Sequence, residues 1–142
     1  MKKPSGRMAG TVAAMALAVA GFMTTAYAQT DGLPTIYSRG QISYTSGGVG
    51  QDEEQAFERE APNWPLALQF SGVGGEFIAD VHVSIIKRDG TKVLEAVSQG
   101  PFMLVKLPPG VYTLHVAYKH QEQQKNVNIS GHASAAFRWN VQ

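Results

Sequence analysis

The strongest constraint in this chain is Pro108-Pro109-Gly110, set between the apolar run Phe102-Met103-Leu104-Val105 and the alternating run over residues 111–118. Proline fixes φ near about −65° and has no N–H, and glycine tolerates positive φ, so the triplet forms a turn at little steric cost. Beyond it, Tyr112, Leu114, Val116 and Tyr118 alternate with Thr113, His115, Ala117 and Lys119. That is the period of two of a strand with one buried face. Phe102 and Leu104 share a face on the approach to the turn. The pattern predicts a hairpin of two antiparallel strands, and an isolated hairpin is unstable without a second layer.

The segment Leu107-Pro108-Pro109-Gly110-Val111-Tyr112-Thr113-Leu114-His115-Val116 resembles the signature of the carboxypeptidase regulatory-like family. These are transthyretin-like, Ig-like sandwiches of about seven strands. Phe102 and Leu104 fall on the two apolar positions before the signature, and the resemblance reaches back through Asp89-Gly90 to residues 80–85, about half the chain. The mature region as a whole is similar to small exported bacterial proteins of this type that carry a Ser-Gly-Gly-Val-Gly segment before a short acidic helix. The resemblance implies an antiparallel all-β sandwich with one short surface helix. It implies no particular activity, because the fold is reused for adhesion, scaffolding and transport accessories.

The N-terminus reads as a secretory leader. Lys2, Lys3 and Arg7 form a positive region, residues 11–23 are mostly Ala, Val, Leu, Met and Phe, and Ala26-Tyr27-Ala28 is a small-x-small cleavage site,. The apolar run falls short of the ~20 residues that span a bilayer. Cleavage after Ala28 is therefore expected, leaving no stable membrane anchor. It removes three of the twelve basic residues and none of the eleven acidic ones, so the mature chain is slightly acidic. Nothing in that balance attracts nucleic acid. The chain has no cysteine, so neither a disulfide nor a lipid-bearing cysteine is available. The expected location is the periplasm or the medium.

Residues 29–39 read as a flexible arm and residues 40–142 as the sandwich, with a helical insertion at 51–61. Asp52 and Gln55 fit a capping box at the start of that helix, Pro62 ends it, and its apolar stripe is thin, with Phe57 docked on the sandwich,. Further strands are expected at 40–44, 66–70, 77–86, 91–98, 127–129 and around Phe137 and Trp139. Asp89-Gly90 is read as a hairpin turn and residues 121–124 as a polar turn.

Chemistry is sparse. Gly47-Gly48-Val49-Gly50 precedes a helix but lacks the Lys-Ser/Thr of a phosphate loop, and Asp52, Glu53 and Glu54 would repel an anion,. His82 and His115 fall on outward strand faces, but metal sites take three or four ligands, and no His-x-His or Cys pair is present. Four of the five methionines lie in the leader, which argues against methionine-based copper handling. Glu53, Glu54, Glu58 and Glu60 lack the spacing of a calcium loop. Trp64, Tyr112, Tyr118, Phe137 and Trp139 read as core, with Trp64 the one whose exposure would mark a binding surface. Neither a Gly-x-Ser-x-Gly elbow nor a cysteine nucleophile is present,.

The reading is an exported, non-enzymatic binding or accessory module with no cofactor or metal. It would act on a periplasmic or envelope protein, or on a small ligand, with Val49, Phe57 and Trp64 as candidate contacts. The alternatives are a periplasmic metal carrier using His82 and His115, or a hydrolase of the hydroxyisourate type. The latter enzymes end in Tyr-Arg-Gly-Ser, whereas this chain ends Phe137-Arg138-Trp139-Asn140-Val141-Gln142.

Overall fold

The computed structural model describes the backbone of residues 25–27 and residues 32–141. Residues 1–24 and Ala28, which carry most of the expected leader and its cleavage position, lie outside the described residues. The elements in chain order are β1 (Thr25–Tyr27), β2 (Ile36–Arg39), β3 (Ile42–Gly47), α1 (Gln51–Glu60), a 3-10 turn (Ala61–Asn63), β4 (Leu66–Gly72), β5 (His82–Lys87), β6 (Lys92–Val97), β7 (Phe102–Lys106), β8 (Gly110–Tyr118), β9 (Gln121–Ile129) and β10 (Ala133–Trp139). They form a six-stranded sheet, β1-β2-β3-β7-β4-β10, and a four-stranded sheet, β6-β5-β8-β9. All pairs are antiparallel except β4 with β10. The all-β sandwich with one short helix is thus present, with ten described strands rather than about seven.

The Pro-Pro-Gly connection is not a hairpin. β7 pairs with β3 and β4 in the large sheet, while β8 pairs with β5 and β9 in the small one. Neither proline has an N–H to continue a ladder, so the chain crosses between layers there. Tyr112, buried, donates its hydroxyl to the carbonyl of Pro108 at 2.7 Å and fixes the crossing, much as tyrosine corners do in other sandwiches.

The core lies between the sheets. Leu66, Leu68 and Phe70 of β4, Met103 and Val105 of β7, and Phe137 and Trp139 of β10 face Val83, Ile85, Leu114 and Val116 of the small sheet. A second cluster covers the outer face of the large sheet, where Leu33, Ala56, Phe57 and Trp64 pack on Leu104 with Phe102 beside them. The continuous apolar run of β7 serves both layers: Met103 and Val105 point inward, Phe102 and Leu104 toward the helix. Phe57 stacks on Phe102 with ring centroids 5.7 Å apart.

Several local expectations are revised. β2 occupies the end of the segment read as an arm, joined to β3 by Gly40 and Gln41. The strand expected over 77–86 begins only at His82, because Asp80 adopts a left-handed φ of 62° and Phe77 makes a lone bridge to Ser71. The break is held by Ser98, whose hydroxyl accepts from the Val81 N–H at 3.1 Å. The expected polar turn at 121–124 is the start of β9, and the chain reverses instead at Lys119-His120. The capping box does not form: Gly50 is the N-cap residue and has no side-chain cap bond.

The polar half of β9 has a structural use. Gln121, Gln123 and Lys125 project every second residue and donate to the carbonyls of Asn140 (3.2 Å), Arg138 (2.6 Å) and Ala136 (2.5 Å) on the outer edge of β10. Trp139 returns a bond from Nε1 to the carbonyl of Gln121 at 3.1 Å. This ladder closes one side of the sandwich and occupies backbone acceptors that an open sheet edge offers to other chains.

Two outcomes follow. Phe57→Ala removes a fully buried ring, so it should destabilise the fold by about 3–5 kcal/mol, read as a lower urea midpoint. Gln123→Ala combined with Lys125→Ala frees the β10 edge and should raise light scattering on warming, with little change in the secondary structure seen by circular dichroism.

Candidate functional site

Because the large sheet has six strands and the small one four, and β9 meets β10 at the closed side, the surplus falls on the other side. There β2 extends past β6. The inner face of the large sheet carries Tyr37 and Arg39 on β2, opposite Tyr44 and Ile42 on β3, with no described strand of the small sheet over β2.

The consequence is a cleft of about 620 Å³ between β2, β3 and β6, lined by Tyr37, Arg39, Ile42, Tyr44 and residues 92–95. A second hollow of about 440 Å³ continues past the two tyrosines to Ser46, Val49, Glu53, Val97 and Gln99. The Tyr37 and Tyr44 rings, 5.6 Å apart between centroids and tilted by 31°, stand between the two. Behind them Ser38 and Ser43 share a hydroxyl hydrogen bond of 2.9 Å.

Three of the six exposed large apolar residues among the described residues meet here. Tyr37 (44% exposed), Val49 (66%) and Val97 (38%) all line the second hollow. Val73 and Phe77 lie instead at the glycine-rich loop, and Val111 on β8. Burial and the neighbouring Tyr37 phenol push the Tyr44 hydroxyl above the ordinary tyrosine range. Burial alone does the same for Tyr112.

Of the three candidate contacts, only Val49 is presented to solvent. Phe57 is 1% exposed and Trp64 7%, both inside the layer under the helix. Trp64 is further held by its carbonyl, 2.7 Å from Nδ1 of His132, and by Lys106 Nζ, 5.3 Å from its ring centroid. The sequence signal for this burial is β7: four successive apolar residues mark a strand covered on both faces. Tyr37 and Tyr44 were not among the candidates. The alternation of residues 36–39 and 42–45 around Gly40-Gln41 is a two-residue hairpin signal that places both tyrosines on one face.

The glycine segment is turned inward. Glu53 accepts a hydrogen bond from the Gly48 amide through Oε1 at 2.8 Å, so the chain's own carboxylate occupies a donor that an anion would need. Gly48 has φ +98°, and a Cβ there would overlap the Phe102 ring. The glycine is required for that close approach. His82 and His115 sit on adjacent strands but out of register, His82 opposite Ala117 and His115 opposite Ser84. Among the described residues no group of three or more His, Cys, Asp or Glu could hold a metal ion, and no helix is long and apolar enough to cross a membrane. No protein-family model and no curated protein matches the chain.

A pH dependence follows from the half-buried Tyr44 and buried Tyr112 phenols. The folded protein holds these protons to higher pH than the unfolded chain does, so their contribution to stability is complete below about pH 10 and declines as pH rises beyond it. Tyr44→Phe should flatten part of that alkaline decline, measured by thermal melts from pH 8 upward.

Proposed function

We propose that this protein is an exported, non-enzymatic binding or accessory module. In this reading it is a carboxypeptidase regulatory-like sandwich whose leader is cut after Ala28; the cut removes β1 and leaves β2 as the edge of the large sheet, and the protein works in the periplasm or outside the cell. It engages a periplasmic or envelope protein through the open side of the sandwich. The observation that carries the reading is the gathering of Tyr37, Val49 and Val97 around one hollow. Exposed apolar residues that share one hollow favour a contact site. The closed side supports it as well, since the β9 ladder leaves little backbone free there. Val49 keeps its place as a contact, and Tyr37 and Tyr44 replace Phe57 and Trp64 beside it.

The test is in-cell cross-linking of the protein expressed from its full-length gene, followed by affinity capture and mass spectrometry. Tyr37→Ala and Val49→Asp should each reduce a reproducible captured partner at least tenfold while the melting temperature stays nearly unchanged, as for exposed sites. Capture that survives both substitutions, or no reproducible partner, would overturn the reading.

A further inference from the structure

The open side has the shape of a missing strand. Among the described residues β6 pairs with β5 on one flank only, and the larger cleft is lined by four consecutive β6 residues, Lys92, Val93, Leu94 and Glu95. β6 is the outermost strand of the small sheet, so a cleft that touches four of its residues in a row runs along its outer edge. Across the cleft lie Tyr37, Ile42 and Tyr44 on the uncovered part of the large sheet. A chain segment in this position finds backbone hydrogen-bonding groups on one flank and aromatic and aliphatic side chains beneath it. Four residues of β6 are about 13 Å long at the usual rise per residue, room for four or five extended residues. The register irregularity between β5 and β6 at Ile85/Ile86 bends this edge, and bent edges resist long, indiscriminate pairing.

Charge narrows the occupant. The cleft holds two cations, Arg39 and Lys92, and one acid, Glu95. Glu95 lies 3.6 Å from Lys92, and Arg39 makes no ion pair among the described residues. A carboxylate on the incoming segment would complete the set.

We infer that the open side receives an extended segment of a partner protein, which pairs with the free edge of β6 as a fifth strand of the small sheet. Alternate apolar side chains pack on Tyr37, Ile42 and Tyr44, and an acidic residue meets Arg39. The inference rests on the open side being the contact surface and adds the mode of recognition, strand addition, and the chemistry of the segment.

The probe is a displayed library of random heptapeptides, selected against the protein recovered from cells expressing the full-length gene. Enriched peptides should alternate apolar and other residues over four or five positions and carry Asp or Glu. Binding of the best peptide should slow amide exchange in residues 92–97 and fall at least tenfold with Tyr37→Ala. Arg39→Glu should shift the selected charge from acidic to basic. Both positions are exposed, so melting temperatures should hold. Enrichment without alternation, no enrichment, unchanged exchange in β6, or binding indifferent to Tyr37 would each overturn the inference. So would self-association through Tyr37 in sedimentation experiments, which would put a second copy in the partner's place. If in-cell capture still depends on Tyr37 while the peptides fail, strand addition falls and the contact surface stands. If capture fails as well, both fall.

Discussion

The two layers of this protein exist because the chain leaves β7 through Pro108-Pro109, where no N–H is available to carry a ladder forward. β7 and β8 are neighbours in sequence, yet they lie in different sheets, and Met103 and Val105 share one core with Leu114 and Val116. The Tyr112 hydroxyl bond to Pro108 fixes the crossing. Had the same residues formed a hairpin, their apolar faces would lie side by side on one surface and still need a cover.

From that crossing the sandwich grows unequally. β10 joins the large sheet by parallel pairing to β4, which places its outer carbonyls within reach of the alternating side chains of β9. Those bonds close one side without adding a strand. Among the described residues the opposite side has no equivalent device, and the large sheet continues there past β6 into β2. Closure on one flank and overhang on the other come from the same mismatch in strand number, and the overhang creates the cleft beneath Tyr37 and Tyr44.

The helix contributes to structure more than to recognition. Its apolar surface is little more than Ala56 and Phe57, but the outer face of β7 supplies Phe102 and Leu104, and Leu33 and Trp64 complete the cluster. The glycine segment before it is shaped by the same packing, since Gly48 lies against the Phe102 ring and its amide is bonded to Glu53. Features that in isolation resemble an anion loop and a partner-facing aromatic are thus consumed in holding a third layer on the sheet.

Local chemistry alone determined the all-β character, the turn at Asp89-Gly90, the break at Pro108-Pro109 and the inward sets on β4, β5 and β8, because alternation and turn propensity act within a few residues. The four successive apolar residues of β7 also carry the signal of a strand covered on both faces, which the hairpin expectation leaves unused. Tertiary structure decided which strands pair, because pairing depends on contacts between residues far apart in sequence. It therefore decided that the proline turn joins two sheets, that Gln121, Gln123 and Lys125 belong to a strand, that Phe57 and Trp64 are interior, and that Tyr37 and Tyr44 border an opening. A polar strand and a polar loop have the same composition, and an aromatic residue is exposed or buried according to what lies across from it. The small sheet ends one strand short of Tyr37, and no property of residues 36–44 taken alone contains that fact.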